Sequence, residues 1–198
     1  MTYLISTLIF AVVGTAQLNI FEIEGIFSNA HINALEGHIE EYEYTDDDLL
    51  ILQYSSQEGS AESIAELNSL LSGYDFPIGV WFGPYKISID FEQLNNFDYI
   101  GFSPGLEINN VSFDESVEKK YCTINICNFE ERKIIVSTNE GIYDNYLIVG
   151  TLGSFIENID FVISDQSIEF FKPSLFERFY IAISNLSLIH ISEPTRPC

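Results

Sequence analysis

The chain is predicted to adopt an α/β fold with a mainly parallel sheet. Near-continuous apolar runs of strand length occur at DLLILQYS and PIGVWFGP, and helix-periodic segments flank the first of them. Strands that are apolar on both faces need cover on both faces, which helical crossovers between parallel strands supply.

The elements follow in order. LNIFEIEG (residues 18–25) alternates apolar and polar residues and closes on Gly, as a strand does. Over residues 29–44, Ile32, Leu35, Ile39 and Tyr42 recur at helical spacing and give one apolar face. The TDDD run at 45–48 ends that helix, and DLLILQYS (48–55) is a strand of the buried type. SSQEGS reads as a turn. SAESIAELNSLLSG then places Ile64, Leu67, Leu70 and Leu71 on one helix face, with Ser60 as the cap and Ser63 as a weaker alternative. PIGVWFGP (77–84) completes a βαβαβ unit. Beyond Pro84 come short strands at DYIGFSPG (98–105), KIIVS (133–137) and YLIVG (146–150), and a short amphipathic helix at LGSFIENI (152–159). FVISDQSIEFF (161–171) reads as a hairpin with SDQS at its turn.

The 198 residues suit one domain, and a hydrophobic content of 46% is too high for a disordered chain. A net charge of −22, with eight Lys and Arg, excludes nucleic acid as a partner, because phosphates demand a basic face. It also argues against docking of the soluble part on anionic lipid. At the N-terminus, YLISTLIFAVVGTA (3–16) is an uncharged apolar run, short for a spanning helix. Gly14 and Ala16 stand at the −3 and −1 positions of a cleavage site before Gln17. An export signal is expected, with an uncleaved anchor or a buried strand as the alternatives; export would place the domain where disulfides persist.

His31 and His38 are seven residues apart on one helix, too far for an i,i+4 metal pair, and are read as partly exposed helix histidines. The acidic residues Glu40, Glu41, Glu43, Asp46, Asp47 and Asp48 lack the spacing and central Gly of a calcium loop and are read as a solvated helix end. Cys122 and Cys127 flank TINI. A local disulfide forms if the intervening chain turns back, whereas a straight strand would send the thiols to opposite faces; both remain open. Trp81 and most Phe and Tyr residues are read as core. No phosphate-cradling Gly-rich loop is present, and neither a cofactor nor a metal is expected.

The order of segments carries a resemblance. IFEIEGIFSNAHINALEGHIEEYEYTDDDLLILQYSSQEGS, then DFPIGVWFGP, then FDYIGFSPGLEI, resemble the NfeD-type membrane-bound proteins of the ClpP-class serine protease group. GIYDNYLIVGTLGSFIENID is similar to that family's domain-closing segment, and IEFFKPSLFERFYIAISN to the approach to its first membrane helix. The resemblance covers residues 18–185. It implies a ClpP/crotonase-like spiral of βα units on the extracytoplasmic side of the cell membrane, followed by transmembrane helices. The implied role is in membrane quality control, with stomatin-like membrane proteins or further copies of the chain as partners.

Active members of the family pair a Ser nucleophile with a Lys base, beside a Gly-Gly turn whose N–H groups hold the oxyanion. A Ser hydroxyl needs a base to take its proton, and the oxyanion needs preorganised donors. Here Glu58 and Gly59 match the Gly-Gly turn, which adds a carboxylate beside the anion site. Counting back from FDYIGFSP puts Ser88 at the nucleophile position, with Asp90 where a small Gly is expected. The segment ESVEKKYCTINICNFEERK is too short for the helices that carry the Lys, and offers Lys119 or Lys120 in its place. Ser88 and Gly59 are therefore the candidate catalytic residues. The preferred expectation is a catalytically degenerate domain acting by protein interaction; the alternative is an active Ser/Lys endopeptidase using Ser88.

LSLIHISEPTRPC (186–198) is unlike the acidic, aromatic chain before it and matches the translation of a sequencing-library adapter. The expected organisation is a signal peptide or N-terminal anchor over residues 1–16 and a ClpP/crotonase-like domain over 17–175. The start of a truncated membrane-proximal segment covers 176–185, and adapter-derived sequence 186–198, with membrane helices following Asn185 in the natural protein.

Overall fold

The computed structural model describes residues 16–59, 61–84, 86–89, 91–109, 115–122, 125–161 and 168–171. The export segment up to residue 15, the Ser60 cap, the first limb of the expected hairpin after Phe161 and everything after Phe171 lie outside these residues.

The main sheet is built from β1 (Leu18–Phe27), β2 (Leu49–Gly59), β3 (Ile78–Phe82), β5 (Tyr99–Phe102), β9 (Gly141–Tyr143), β10 (Tyr146–Ile148) and β11 (Ile168–Phe171). Its order is β11-β1-β2-β3-β5-β10-β9, parallel throughout except for the β9–β10 pair. A second sheet runs in the order β4 (Ile87–Ser88), β6 (Glu107–Asn109), β8 (Lys133–Ile135), β7 (Ile126–Asn128).

Strand alternation divides the core cleanly. Phe21, Ile23, Leu50, Leu52, Val80, Phe82, Ile100, Phe102 and Ile148 face one side, beneath α1 (Asn29–Tyr42) and α2 (Ala61–Leu71). Leu18, Ile20, Leu49, Ile51, Trp81, Leu147 and Val149 face the other, against Phe155 of α4 (Leu152–Asn158). Both faces are covered, which is why β2 and β3 read as near-continuous apolar runs. Burying a Phe or Leu side chain fully is worth ~1.5–3 kcal/mol. Gly101 fits this packing, since a Cβ there would stand 2.5 Å from the Phe155 ring. Thr151 caps α4 by accepting from the Ser154 amide at 3.0 Å.

Several expectations change. SSQEGS is not a turn: β2 continues in register with β1 to Gly59, past a bulge at Gly25/Ile26. The Ser56 hydroxyl makes this possible, donating to the Gly25 carbonyl at 2.6 Å and accepting from the Phe27 amide at 3.0 Å. Helix α1 stops at Tyr42 because Glu43 is left-handed, with φ 54°. Both helix histidines are buried, His31 under Phe27 and His38 against Phe171 and Phe21. Asp48 is buried as well. Its carboxylate accepts from the Gln17 and Thr45 amides and the Thr45 hydroxyl, pinning the start of β1 to that of β2. Strand β11 pairs in parallel with β1, Leu18 opposite Ile168. Trp81 is core, as read.

Cys122 and Cys127 form a disulfide with a Cα–Cα distance of 5.6 Å, joining the end of α3 (Glu115–Tyr121) to β7.

Candidate functional site

Three elements converge on the carboxyl end of β1 and β2. Gly59 pairs with Phe27 at the last register position. Phe27 and Ile89 line one apolar cavity of about 20 Å³ with Tyr54, Phe82 and Leu67, so the segment carrying Ser88 lies at the same end of the sheet as Gly59. The N-termini of α1 and α2 meet there too, where Ser63 donates to the Asn29 side chain at 2.8 Å. The cavity is roughly the size of one water and apolar, which suits it to core packing.

The polar groups here are held in place. The His31 Nε2–H donates to the Glu24 carbonyl at 3.0 Å, since a carbonyl can only accept. That leaves Nδ1 to face the Ser28 hydroxyl at 3.5 Å. Burial lowers the His31 pKa from its ordinary value, against the raising influence of the Glu24 carbonyl. Burial likewise pushes the Tyr54 phenol up to about 12, with Ser56 acting in the opposite direction.

Ser88 follows the buried Ile87 and precedes the buried Ile89, so alternation turns it to the opposite face of the small sheet. The register aligns Ser88 with Asn109, Asn109 with Lys133, and Lys133 with Asn128. Ser88 and Lys133 thus share one face, two strands apart. The Lys133 Nζ lies 2.8 Å from Glu107 and the Lys86 Nζ 3.0 Å from its other oxygen. These hydrogen bonds, Lys133 first, lower the Glu107 carboxyl below its ordinary range. A Lys base works as a neutral amine in a desolvated pocket. Lys86 and Lys133 are instead ammonium donors to a carboxylate, and the Lys86 side chain is 61% exposed.

Of the Lys residues suggested by sequence, Lys119 is exposed on α3 and Lys120 lies over the Tyr121 ring at 5.3 Å. The residues that sequence reasoning missed are Lys133, Lys86, Glu107 and Asn109. Their spacing along the chain has no motif; strand register alone groups them.

This arrangement of sheets and helices has counterparts among solved structures. The 1510-N membrane-bound stomatin-specific protease, as a lysine-to-alanine variant in complex with a substrate peptide, matches with a TM-score of 0.59. Its identity is 9%, over 87% of this chain and 100% of that one. The 1510-N membrane protease specific for a stomatin homolog from Pyrococcus horikoshii matches at TM-score 0.59 and 10% identity, over 85% of this chain and 98% of that one. A serine-to-alanine variant matches at TM-score 0.54 and 10% identity, over 82% and 100%. The chain has this ClpP-like fold.

At such identities the likeness shows the ClpP-like fold alone. No protein-family model matches the chain, and no curated protein does. Within the ClpP-like fold, no group of side chains able to hold a metal is found among the described residues, and no described helix is long and apolar enough to cross a membrane.

Proposed function

We propose that the chain is a membrane-tethered, extracytoplasmic NfeD-like domain of ClpP fold that is catalytically degenerate and acts by binding stomatin-like membrane proteins. The observation that carries this reading is the pairing of both Lys86 and Lys133 with Glu107, on the face that Ser88 shares. Cations that donate to a carboxylate are poorly placed to take a proton from a hydroxyl. The Cys122–Cys127 disulfide supports the extracytoplasmic side, where such bonds persist. Stomatin-like partners are supported by the specificity of the solved proteases that share the fold.

One observation favours a second reading. The Ser88–Asn109–Lys133 row would supply a nucleophile and a relocated Lys base for an active serine endopeptidase, if Glu107 released the lysine. A fluorophosphonate probe on the full-length protein separates the two. The binding role expects no labelling of a protein that melts cooperatively. Labelling that disappears in Ser88→Ala would overturn it and establish the peptidase.

A further inference from the structure

The first 85 residues contain thirteen Asp and Glu and no Lys or Arg. The fold gathers part of this charge at one place. An open groove of about 400 Å³ runs between the C-terminal ends of α1 and α2, edged by the exposed carboxylates of Glu40, Glu43, Asp46 and Asp75. Neither helix has a basic residue in its last turn, so two partial negative helix ends add to the field without internal compensation. Among the described residues the salt bridges are those at Glu107, on the other sheet.

The wall of this groove is aromatic. Tyr44 stacks on Phe76 with ring centroids 4.4 Å apart, and Tyr74 stands 5.3 Å from Phe76. Burial, then Glu36 and Glu40, raise the Tyr74 phenol. The carboxylates form no metal-binding group. Ring faces beside dispersed carboxylates fit a large, flat organic cation, and the guanidinium of arginine is the side chain that both stacks on a ring and forks to a carboxylate.

We infer that this groove docks an arginine-bearing segment of a partner polypeptide, with a guanidinium on the Tyr74 ring and between the carboxylates of Glu40 and Asp75. The groove lies at the opposite end of α1 from His31 and Ser28, and its role is independent of whether Ser88 reacts.

The test is fluorescence anisotropy of a labelled nonamer alternating Arg and Ala, and of its Glu counterpart, with the full chain. The Arg peptide is expected to bind and the Glu peptide not to. Tyr74→Ala leaves net charge unchanged and should weaken binding by about fivefold. Glu40→Gln with Asp75→Asn should weaken it by about tenfold. Glu130→Gln with Glu131→Gln, the same charge change on the turn between β7 and β8, should stay within about twofold. If Tyr74→Ala disturbs the melt, Tyr74→Leu keeps the apolar bulk and removes the π face. No binding of the Arg peptide would overturn the inference. So would equal losses from the two carboxylate pairs, or undiminished binding by the folded Tyr74 variant, since a polycation would then be sensing only the chain's overall charge.

Discussion

Lys133 donates to Glu107 at 2.8 Å across the pair formed by β8 and β6, and this contact is the first cause of the lowered Glu107 carboxyl on the face that carries Ser88. Because the Glu107 carboxyl is lowered in the folded chain, its contribution is present above the ordinary carboxylate range and is lost as pH falls through the folded value. Carboxyl-carbon NMR should therefore find Glu107 titrating below ordinary glutamates. Lys133→Met should raise its midpoint more than Lys86→Met does, and equal effects would contradict the order of the two contacts.

His31 carries the opposite charge type with the same sense of pH dependence. Its folded pKa is lowered from 6.5, so the neutral ring's stability is complete above that value. As the pH drops below it, the unfolded chain takes up the proton first and stability declines. Urea melts between pH 8 and 5 should show this slope in the wild type and a flatter one in His31→Leu. Nitrogen chemical shifts should place the proton on Nε2, the atom facing the Glu24 carbonyl.

Two glycines should respond in opposite directions to the same added methyl. Gly101→Ala drives a Cβ toward Phe155 and Trp81, and should cost ~1–3 kcal/mol through overpacking. Gly37→Ala, inside α1 with nothing within 4 Å of the new carbon, should gain ~0.5–1 kcal/mol from helix propensity. Chemical denaturation measures both, and a destabilised Gly37→Ala would mean that the exposed side of α1 is covered.

The Cys122–Cys127 bond closes a short loop, with a sequence separation of 5. Chain-entropy arguments give about 2 kcal/mol for a loop of that size. The double Cys→Ser variant should unfold at correspondingly lower urea in oxidising buffer. Adding a reductant should bring the wild type to the same midpoint, and equal midpoints of wild type and variant in oxidising buffer would show that the bridge is not formed.

The strands β1, β2, β3 and β5 and the helices α1, α2 and α4 were legible because each carries a period matching its burial: unbroken apolar runs in the doubly covered sheet, and three- or four-residue spacing in the helices. The end of β2 was not, since Ser56 looks like turn chemistry until its hydroxyl is seen to satisfy the β1 backbone where the register shifts. His31, His38 and Asp48 were misread as exposed for a related reason. Polarity predicts exposure only on average, and each of these side chains finds a hydrogen-bond partner on folding: the Glu24 carbonyl for His31, the Tyr44 hydroxyl for His38 and the distant Gln17 amide for Asp48. At the candidate site, Ser88 and Gly59 were chosen as candidates from order along the chain. The Lys133–Glu107–Lys86 cluster required the register of strands with few residues each, and such strands have too little length to announce their pairing.

The pairing of β11 with β1 sets a schedule. Leu18 leaves the ribosome long before Ile168, its partner on one side, has been made. Through that interval β1 is an apolar strand with one unpaired edge, the geometry most prone to join the wrong neighbour. Closing so long a loop late makes assembly slow compared with the local βα units. Among the described strands of the main sheet, β1 is therefore the one most exposed to misassembly, and its safeguard, β11, is made after all the others.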